Sequence, residues 1–541
     1  MSAPHPKPKR PIARKLAIPV ASKWSTQGNL FRLWLSPFGI IVSLALGAFA
    51  FLLWLDYLHT DTTLSFWQVM NLSRPEDAAN VVGNIAQVLI GVMGLVITVV
   101  AIVVQLAAQR YTPRLVDLFV ADRVNIAFLA LMVETTLFSM LLTNAVKTNL
   151  LPYWANLVLM AQSVLIMGLL IPYFSYVFLF LTPANILRIL QTRAVNRMNS
   201  AILPRTRQEE YPKLQQDTAM AMEQISDIAL SAVSQMDRNV SLLGIRALRD
   251  VMVDHLLIKH RMPRRWLVPQ KEHFPAISAE FLHEIHRNRT WVEIKGFMDM
   301  ELIFKMSLKE MPDGVTAVAN SAKVVGLYAI RLGDVQVLRT VVEFFNTFIR
   351  LAVNVRHPKA IYNLYYQYRM LAEALLDTHP QMAEKIAFYF KYYGQIAQNY
   401  NVPMILTTAA FDLAQLLKIA HGKNSGNMEA LIRIFLELDD SVSTQTNEFD
   451  LRSVRKAQLN FASYLMSQND LAMATLIFND VKAEPKERLE AIRKEMLAVS
   501  ERKFWEVTDR GVDFFYLDTN QKKHLNRFYQ MFLEPFWSGK R

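Results

Sequence analysis

The sequence contains no cysteine and only 17 glycines in 541 residues. Without thiols there is no disulfide framework, no thiolate metal site and no cysteine nucleophile. Glycine at less than half its usual share of about 7% means few turns and a chain dominated by helices. A Gly-rich phosphate loop is missing too: Gly422-Lys423-Asn424-Ser425-Gly426 has neither the spacing nor a preceding strand. Neither a nucleophile elbow nor the kinase motif set occurs. Enzyme chemistry has no carrier here, and no catalytic residue, cofactor or metal is expected.

What the chain has in quantity is apolar surface. Hydrophobic residues make up 52% against 20% charged, and mean hydropathy is +0.16. Such a balance points to the membrane. Four apolar runs, 38–57, 85–108, 126–145 and 153–181, the last carrying Pro172, are expected to span. Each meets the roughly 20 residues that a hydrocarbon core of about 30 Å demands. The 37 residues before the first run argue against a cleavable signal. Buried core helices of a large soluble protein fit four such runs poorly.

Charge sets the orientation. Residues 1–37 hold Lys7, Lys9, Arg10, Arg14, Lys15, Lys23 and Arg32 and no acid. The first loop holds Asp61, Glu76 and Asp77 against Arg74, and the second holds Arg110, Arg114 and Arg123. By the positive-inside rule both termini are cytoplasmic. The expected organisation is a basic arm (1–37), a transmembrane domain (38–181), an amphipathic connecting helix (182–203) and a cytoplasmic helical domain (204–541). The basic excess suits anionic lipid head groups. It is too dispersed to suggest a nucleic-acid partner.

The second run carries a polar stripe. At about 100° per residue, Gln87, Gly91, Gly94, Thr98, Gln105 and Gln109 share one face. Val92, Met93, Val96, Val99, Val100 and Val103 form the opposite face, suited to lipid or a neighbouring helix. Amides in hydrocarbon need partners, so the stripe is expected to meet protein or water. It serves either helix association, the more frequent use, or a polar path. Glu134, inside the third run, is costly in a bilayer and is either a functional group or a protonated structural one. Thr98 lies at a matching depth as its expected partner. Thr136, Ser139 and Thr143 form a hydroxyl stripe on the far side of that run. Thr112-Pro113 is a cap and first-turn pair that starts another helix. Arg110, Tyr111 and Arg114 then sit at head-group depth as lipid anchors.

The run Asp77-Ala-Ala … Gly91 … Gln105-Leu-Ala-Ala-Gln-Arg-Tyr-Thr-Pro-Arg114-Leu … Asp122-Arg123-Val124 resembles the signature of domain-of-unknown-function family 2254. Its members are uncharacterised bacterial membrane proteins. The resemblance covers residues 77–150, with a weaker echo around Ala229–Asp237, within 226–250. There Met236 and Arg238 stand where the family has the Asn and Pro of an Asn-Asp-Pro segment. The resemblance implies a multi-pass protein of the bacterial inner membrane with a large cytoplasmic domain, and implies no activity.

Beyond residue 182 helix follows helix. An apolar stripe of Ile186, Leu187, Ile189, Leu190 and Met198 leaves the membrane block. Breaks are expected at Pro263, Pro275, Pro312, Gly333-Asp334, His357-Pro358, His379-Pro380, Gly394, Pro403, Gly422 to Gly426, Asn469-Asp470 and Pro485. Two stretches, Gly326 … Asp334 and Ala462 … Pro485, resemble tetratricopeptide hairpins without a strict repeat. The expected domain is therefore an irregular α-solenoid, an ordinary helical bundle being the alternative. Tyr362, Tyr365, Tyr366, Tyr389 and Tyr392 concentrate aromatics on two helices, as a core or as a partner groove. His283 and His286, three apart, read as a solvated face rather than a metal site. The fold class expected is all-α: a four-helix transmembrane bundle and a helical cytoplasmic domain. The function expected is a non-enzymatic, homo-oligomeric scaffold that binds partners through that domain. The alternative is an oligomeric channel or transporter lined by the second and third spans.

Overall fold

The computed structural model describes Gly47, Phe51 and residues 75–111, 115–146, 153–400, 402, 404–440, 448–504 and 508–539. The basic arm, the apolar run 38–57 (Gly47 and Phe51 apart) and Thr112-Pro113-Arg114 lie outside the described residues. Every regular element among the described residues is helical. The chain divides into two compact units, Met1–Asn185 and Ile186–Arg541.

The first unit contains α1 (Pro75–Arg110), α2 (Leu115–Val120), α3 (Arg123–Val146) and α4 (Tyr153–Phe180). Of these, α1, α3 and α4 are long and apolar enough to cross a membrane. Helix α1 starts ten residues before the expected boundary at 85, within what reads as a loop. Pro75 opens it, where the missing N–H costs nothing.

Helices α1 and α3 run antiparallel, and valine holds them together. Val82, Ala86, Leu89, Val96, Val100, Val104 and Ala108 are buried along one side of α1. The α3 side contributes Phe128, Met132, Thr136, Ser139 and Leu142. The Ser139 hydroxyl donates to the Val82 carbonyl at 3.0 Å. At that end Val82, Leu142 and Leu159 of α4 meet in one cluster. Thr135, Thr136 and Thr143 donate back to the carbonyls four residues earlier, at 2.9, 2.8 and 2.8 Å. Hydroxyls satisfied inside their own helix cost little in hydrocarbon. Part of the expected hydroxyl stripe is thus the buried face of α3.

The second unit starts within α5 (Pro183–Ile202) and continues with α6 (Tyr211–Ser234), α7 (Arg238–Ile258), α8 (Ala279–Asn288), α9 (Trp291–Glu310) and α10 (Pro312–Leu332). Then come α11 (Val335–Asn354), α12 (Pro358–Leu375), α13 (Pro380–Asn399), α14 (Ile405–Gly422) and α15 (Met428–Leu436). The last are α16 (Glu448–Ser467), α17 (Leu471–Val481), α18 (Lys486–Ala498), α19 (Thr519–Phe528) and the short α20 (Glu534–Trp537). One row of helices forms the spine: α7 packs on α10, α10 on α12, α12 on α14, α14 on α16 and α16 on α19. Gly394 does not break α13 as expected. It is buried in mid-helix, where an added Cβ would lie 3.1 Å from the Ala409 Cβ, so glycine lets α14 approach.

Four hairpins of this unit share one turn. Met236, Gly333, Arg356 and Asn469 each adopt a left-handed conformation, with φ of 55°, 71°, 54° and 61°. The next residue, Asp237, Asp334, His357 or Asp470, sends its N–H back to the carbonyl five residues earlier at 2.8 to 3.0 Å. The same residue then caps the following helix, its side chain accepting from the N–H three residues on at 3.0 to 3.2 Å. One helix is ended and the next begun within two residues. The Asn-Asp-Pro segment that the resemblance implies at 236–238 would suit this geometry. Asn tolerates the left-handed position, Asp caps, and Pro suits the first helical turn. Met236 occupies the left-handed slot although it has no such preference.

Two predictions follow from these contacts. Met236→Asn should raise the stability of the full chain by about 1 kcal/mol, because it relieves a left-handed non-glycine residue. An unchanged or lower unfolding temperature in detergent would contradict that account. The second concerns Asp254 on α7, which interacts with Gln191 on α5 and whose pKa is pushed up to about 6 by burial and by Asp250. With the folded value above the unfolded one, its contribution is greatest below pH about 4 and is lost as pH rises through about 6. Asp254→Asn should therefore flatten the pH dependence of unfolding temperature between pH 4 and 7. A slope identical to that of the parent chain would show that the carboxyl is not strained.

Candidate functional site

The motif residues Gln105 to Arg110 and Asp122 to Val124 lie at one end of the helical bundle, the end carrying Arg110 and Arg123. There α1, α2 and α3 enclose a groove of about 470 Å³, within the usual range for a ligand pocket of about 300–1,000 Å³. Its walls are apolar: Ile97, Val100, Ala101, Val104 and Ala108 from α1, Val116, Phe119 and Val120 from α2, Leu129 from α3. Polar side chains enter at three places, Gln105, Gln109 and Asn125. Gln105 and Gln109 are exposed and have no hydrogen-bond partner among the described residues.

A polar knot holds this end together. Asp122 sits just ahead of α3, and its Oδ2 accepts from Val124 N at 3.0 Å and Asn125 N at 3.2 Å. The Tyr176 hydroxyl on α4 donates to the same oxygen at 2.7 Å. Asn125, buried, accepts from the Tyr173 hydroxyl at 2.6 Å and donates to the Phe119 carbonyl at 3.3 Å. Tyr173 stacks on Phe128 with ring centroids 3.9 Å apart. Asp122 of the motif's Asp-Arg pair therefore caps α3 and ties it to α4, while Asn125 ties it to α2. Asn125, Tyr173 and Tyr176 escaped the sequence reading. The available signal was two tyrosines three residues apart directly after Pro172, in a run otherwise poor in hydrogen-bonding groups.

The expected stripe on α1 is a single face, and it is outward. Gln87, Gly91, Gly94, Thr98, Gln105 and Gln109 are all exposed. Among the described residues nothing lies within 4 Å of a Cβ built on Gly83, Gly91 or Gly94. Thr98 donates to the Gly94 carbonyl at 2.8 Å and so is not the partner of Glu134. Glu134 pairs instead with α4: Gln162 Nε2 donates to both carboxylate oxygens at 3.3 and 3.2 Å. Both helices reach that depth, but Thr98 points away from α3 around the axis of α1. Arg110 lies over the Tyr111 ring at 5.2 Å. The third expected anchor, Arg114, is outside the described residues.

The five tyrosines do not line one groove. Tyr365 is fully buried and meets Phe390 edge-on, with centroids 4.6 Å apart. Tyr389 and Tyr392 lie on α13 beside Phe388. Tyr362 and Tyr366 instead hold Arg510, whose guanidinium is 4.1 and 5.3 Å from their rings. Arg510 is a bidentate donor to buried Asp412, at 2.7 and 3.0 Å, and Arg369 reaches the same carboxylate at 3.0 Å. Residues 508–518 are thereby pinned to α12 and α14. His283 and His286 are exposed on α8. Among the described residues no group of three or more metal-ligating side chains is assembled.

The knot generates a graded prediction. Asp122→Ala should cost about 1–3 kcal/mol, from a lost cap and a tyrosine hydroxyl left unpaired. Asp122→Asn keeps one oxygen in place for all three donors and should retain most of that stability. Equal unfolding temperatures for the two variants in detergent would exclude this role.

No curated protein and no solved structure matches the chain. Residues 31–215, which contain the groove, the knot and the stripe of α1, match the family model of the predicted membrane proteins of DUF2254.

Proposed function

We propose that the protein is a non-enzymatic, homo-oligomeric scaffold of the bacterial inner membrane, multi-pass with both termini in the cytoplasm. In this reading the second unit is an irregular α-solenoid that offers its helical rows to protein partners. One observation carries it: among the described residues the face of α1 bearing Gly91, Gly94 and Thr98 is open, while the valine face is already committed to α3. Small residues let helix backbones approach closely in a bilayer, where dispersion and interhelical hydrogen bonds drive association. A second copy of the same face is a fitting partner, since isologous contacts are the commonest in oligomers. The row α7, α10, α12, α14, α16 and α19, with repeated hairpin turns, supports the solenoid reading. Arg110, Tyr111 and Arg114 serve in it as anchors to anionic head groups.

A second reading is favoured by the Glu134–Gln162 pair. Glu134 lies eleven residues into α3, about 16 Å from its start at 1.5 Å per residue. That is near the middle of a core of about 30 Å. Arranged around an axis between copies, such carboxylates line a cation path.

The missing cysteines make the first reading easy to test. Gly91→Cys should give a disulfide-linked dimer on mild oxidation in membranes, whereas Leu141→Cys, on an exposed apolar stretch of α3, should not. A monomeric band for Gly91→Cys, together with a monomer mass in detergent, would remove the scaffold reading. Cation flux in reconstituted vesicles, lost in Glu134→Gln, would establish the channel in its place.

A further inference from the structure

The groove at the Arg110 end is not explained by association of copies. Its lining is apolar, yet two amides stand on it with no protein partner among the described residues. Their depth identifies what could answer them. Gln105 and Gln109 are five residues and one residue before Arg110, so they lie about 8 and 2 Å along the helix from it. With Arg110 at the head groups, Gln105 lies in the zone of about 5–10 Å where head groups give way to acyl chains, and Gln109 at its head-group edge. The ester carbonyls of glycerolipids lie in this zone. They only accept hydrogen bonds, and a glutamine amide offers two N–H donors. Below the amides the groove continues between Val100, Val104 and Leu129 with no further polar group until Thr98 on the outer face, which suits a hydrocarbon chain. Arg123 opens α3 at this same end, exposed and without an ion-pair partner among the described residues.

We propose that the groove between α1, α2 and α3 holds an acyl chain of an anionic glycerophospholipid. Gln105 and Gln109 donate to its ester carbonyls, and Arg123 meets its phosphate. The apolar volume selects the chain, the amides fix its depth, and the arginine sets the preference for a negative head group. The site is independent of the proposed contact between copies, which uses Gly91 and Gly94 toward the far side of the bilayer.

The test uses the full chain solubilised in detergent and titrated with palmitoyl-oleoyl phosphatidylglycerol or phosphatidylcholine, with retained lipid counted by native mass spectrometry. Phosphatidylglycerol should be retained in preference to phosphatidylcholine. The double variant Gln105→Leu/Gln109→Leu should weaken its retention at least fivefold. Ala101→Trp, which fills the groove from its exposed side, should do the same. Arg123→Gln should reduce the preference for phosphatidylglycerol at least threefold while leaving retention of phosphatidylcholine unchanged. An unfolding temperature within a few degrees of the parent chain shows that each variant is folded. Should one fail to fold, the remaining two decide. Undiminished retention in the folded variants overturns the proposal. So does a disulfide between cysteines placed at 105 and in the run 38–57, which would put the chain's own segment, or a second copy, in the groove.

Discussion

Inside a bilayer a hydrogen-bonding group has only the protein to turn to, and the first unit is organised by that constraint. One oxygen, Oδ2 of Asp122, receives the first free N–H groups of α3 and the hydroxyl of Tyr176. Asn125 does the same work one turn further on, between the Phe119 carbonyl and Tyr173. Each of these groups left buried without a partner would cost about 1–3 kcal/mol. Together they fix where α2 ends, where α3 begins and how α4 lies against it. The valine contact between α1 and α3 gives attraction without direction. The Ser139 hydroxyl on the Val82 carbonyl gives that contact its register, and the knot does the same between α3, α2 and α4.

The second unit meets the same constraint at its helix ends, which leave carbonyls and N–H groups unpaired. The two-residue turn used at Met236, Gly333, Arg356 and Asn469 answers both ends at once. It also explains which hairpins can be read from sequence. Gly333-Asp334 and Asn469-Asp470 announce themselves, because glycine and asparagine favour the left-handed region and aspartate caps. Met236 and Arg356 give no such signal themselves, and the second of these turns is legible only through the His357-Pro358 pair that follows it. They adopt the turn because the helices on either side require it, so tertiary structure overrides local preference there. Gly394 shows the converse error: a residue that reads as a break serves close helix approach.

In the membrane block, hydropathy made α3 and α4 legible to within a few residues, because length and absence of charge are what a bilayer demands. Periodicity made the two faces of α1 legible as well. It could not assign their uses. A valine face suits lipid as well as a neighbouring helix, and only the fold commits Val96 and Val100 to α3. Depth matching proposed Thr98 for Glu134 because it compares height along two helices and ignores rotation about them. Gln162, on a helix whose polar residues attracted no notice, was the donor.

The face of α1 that is open among the described residues is long enough to serve two occupants without competition. From Arg110, Gly94 and Gly91 lie about 24 and 28 Å along the helix, while Gln105 and Gln109 lie within about 8 Å. A neighbouring helix held on the glycines and crossing at an angle would diverge from α1 toward the Arg110 end. Divergence leaves the space that α2 and α3 bound as a groove. If the glycines draw two copies together at one surface of the membrane, a lipid chain can fill the gap at the other. The amides then mark the depth at which protein contact gives way to lipid.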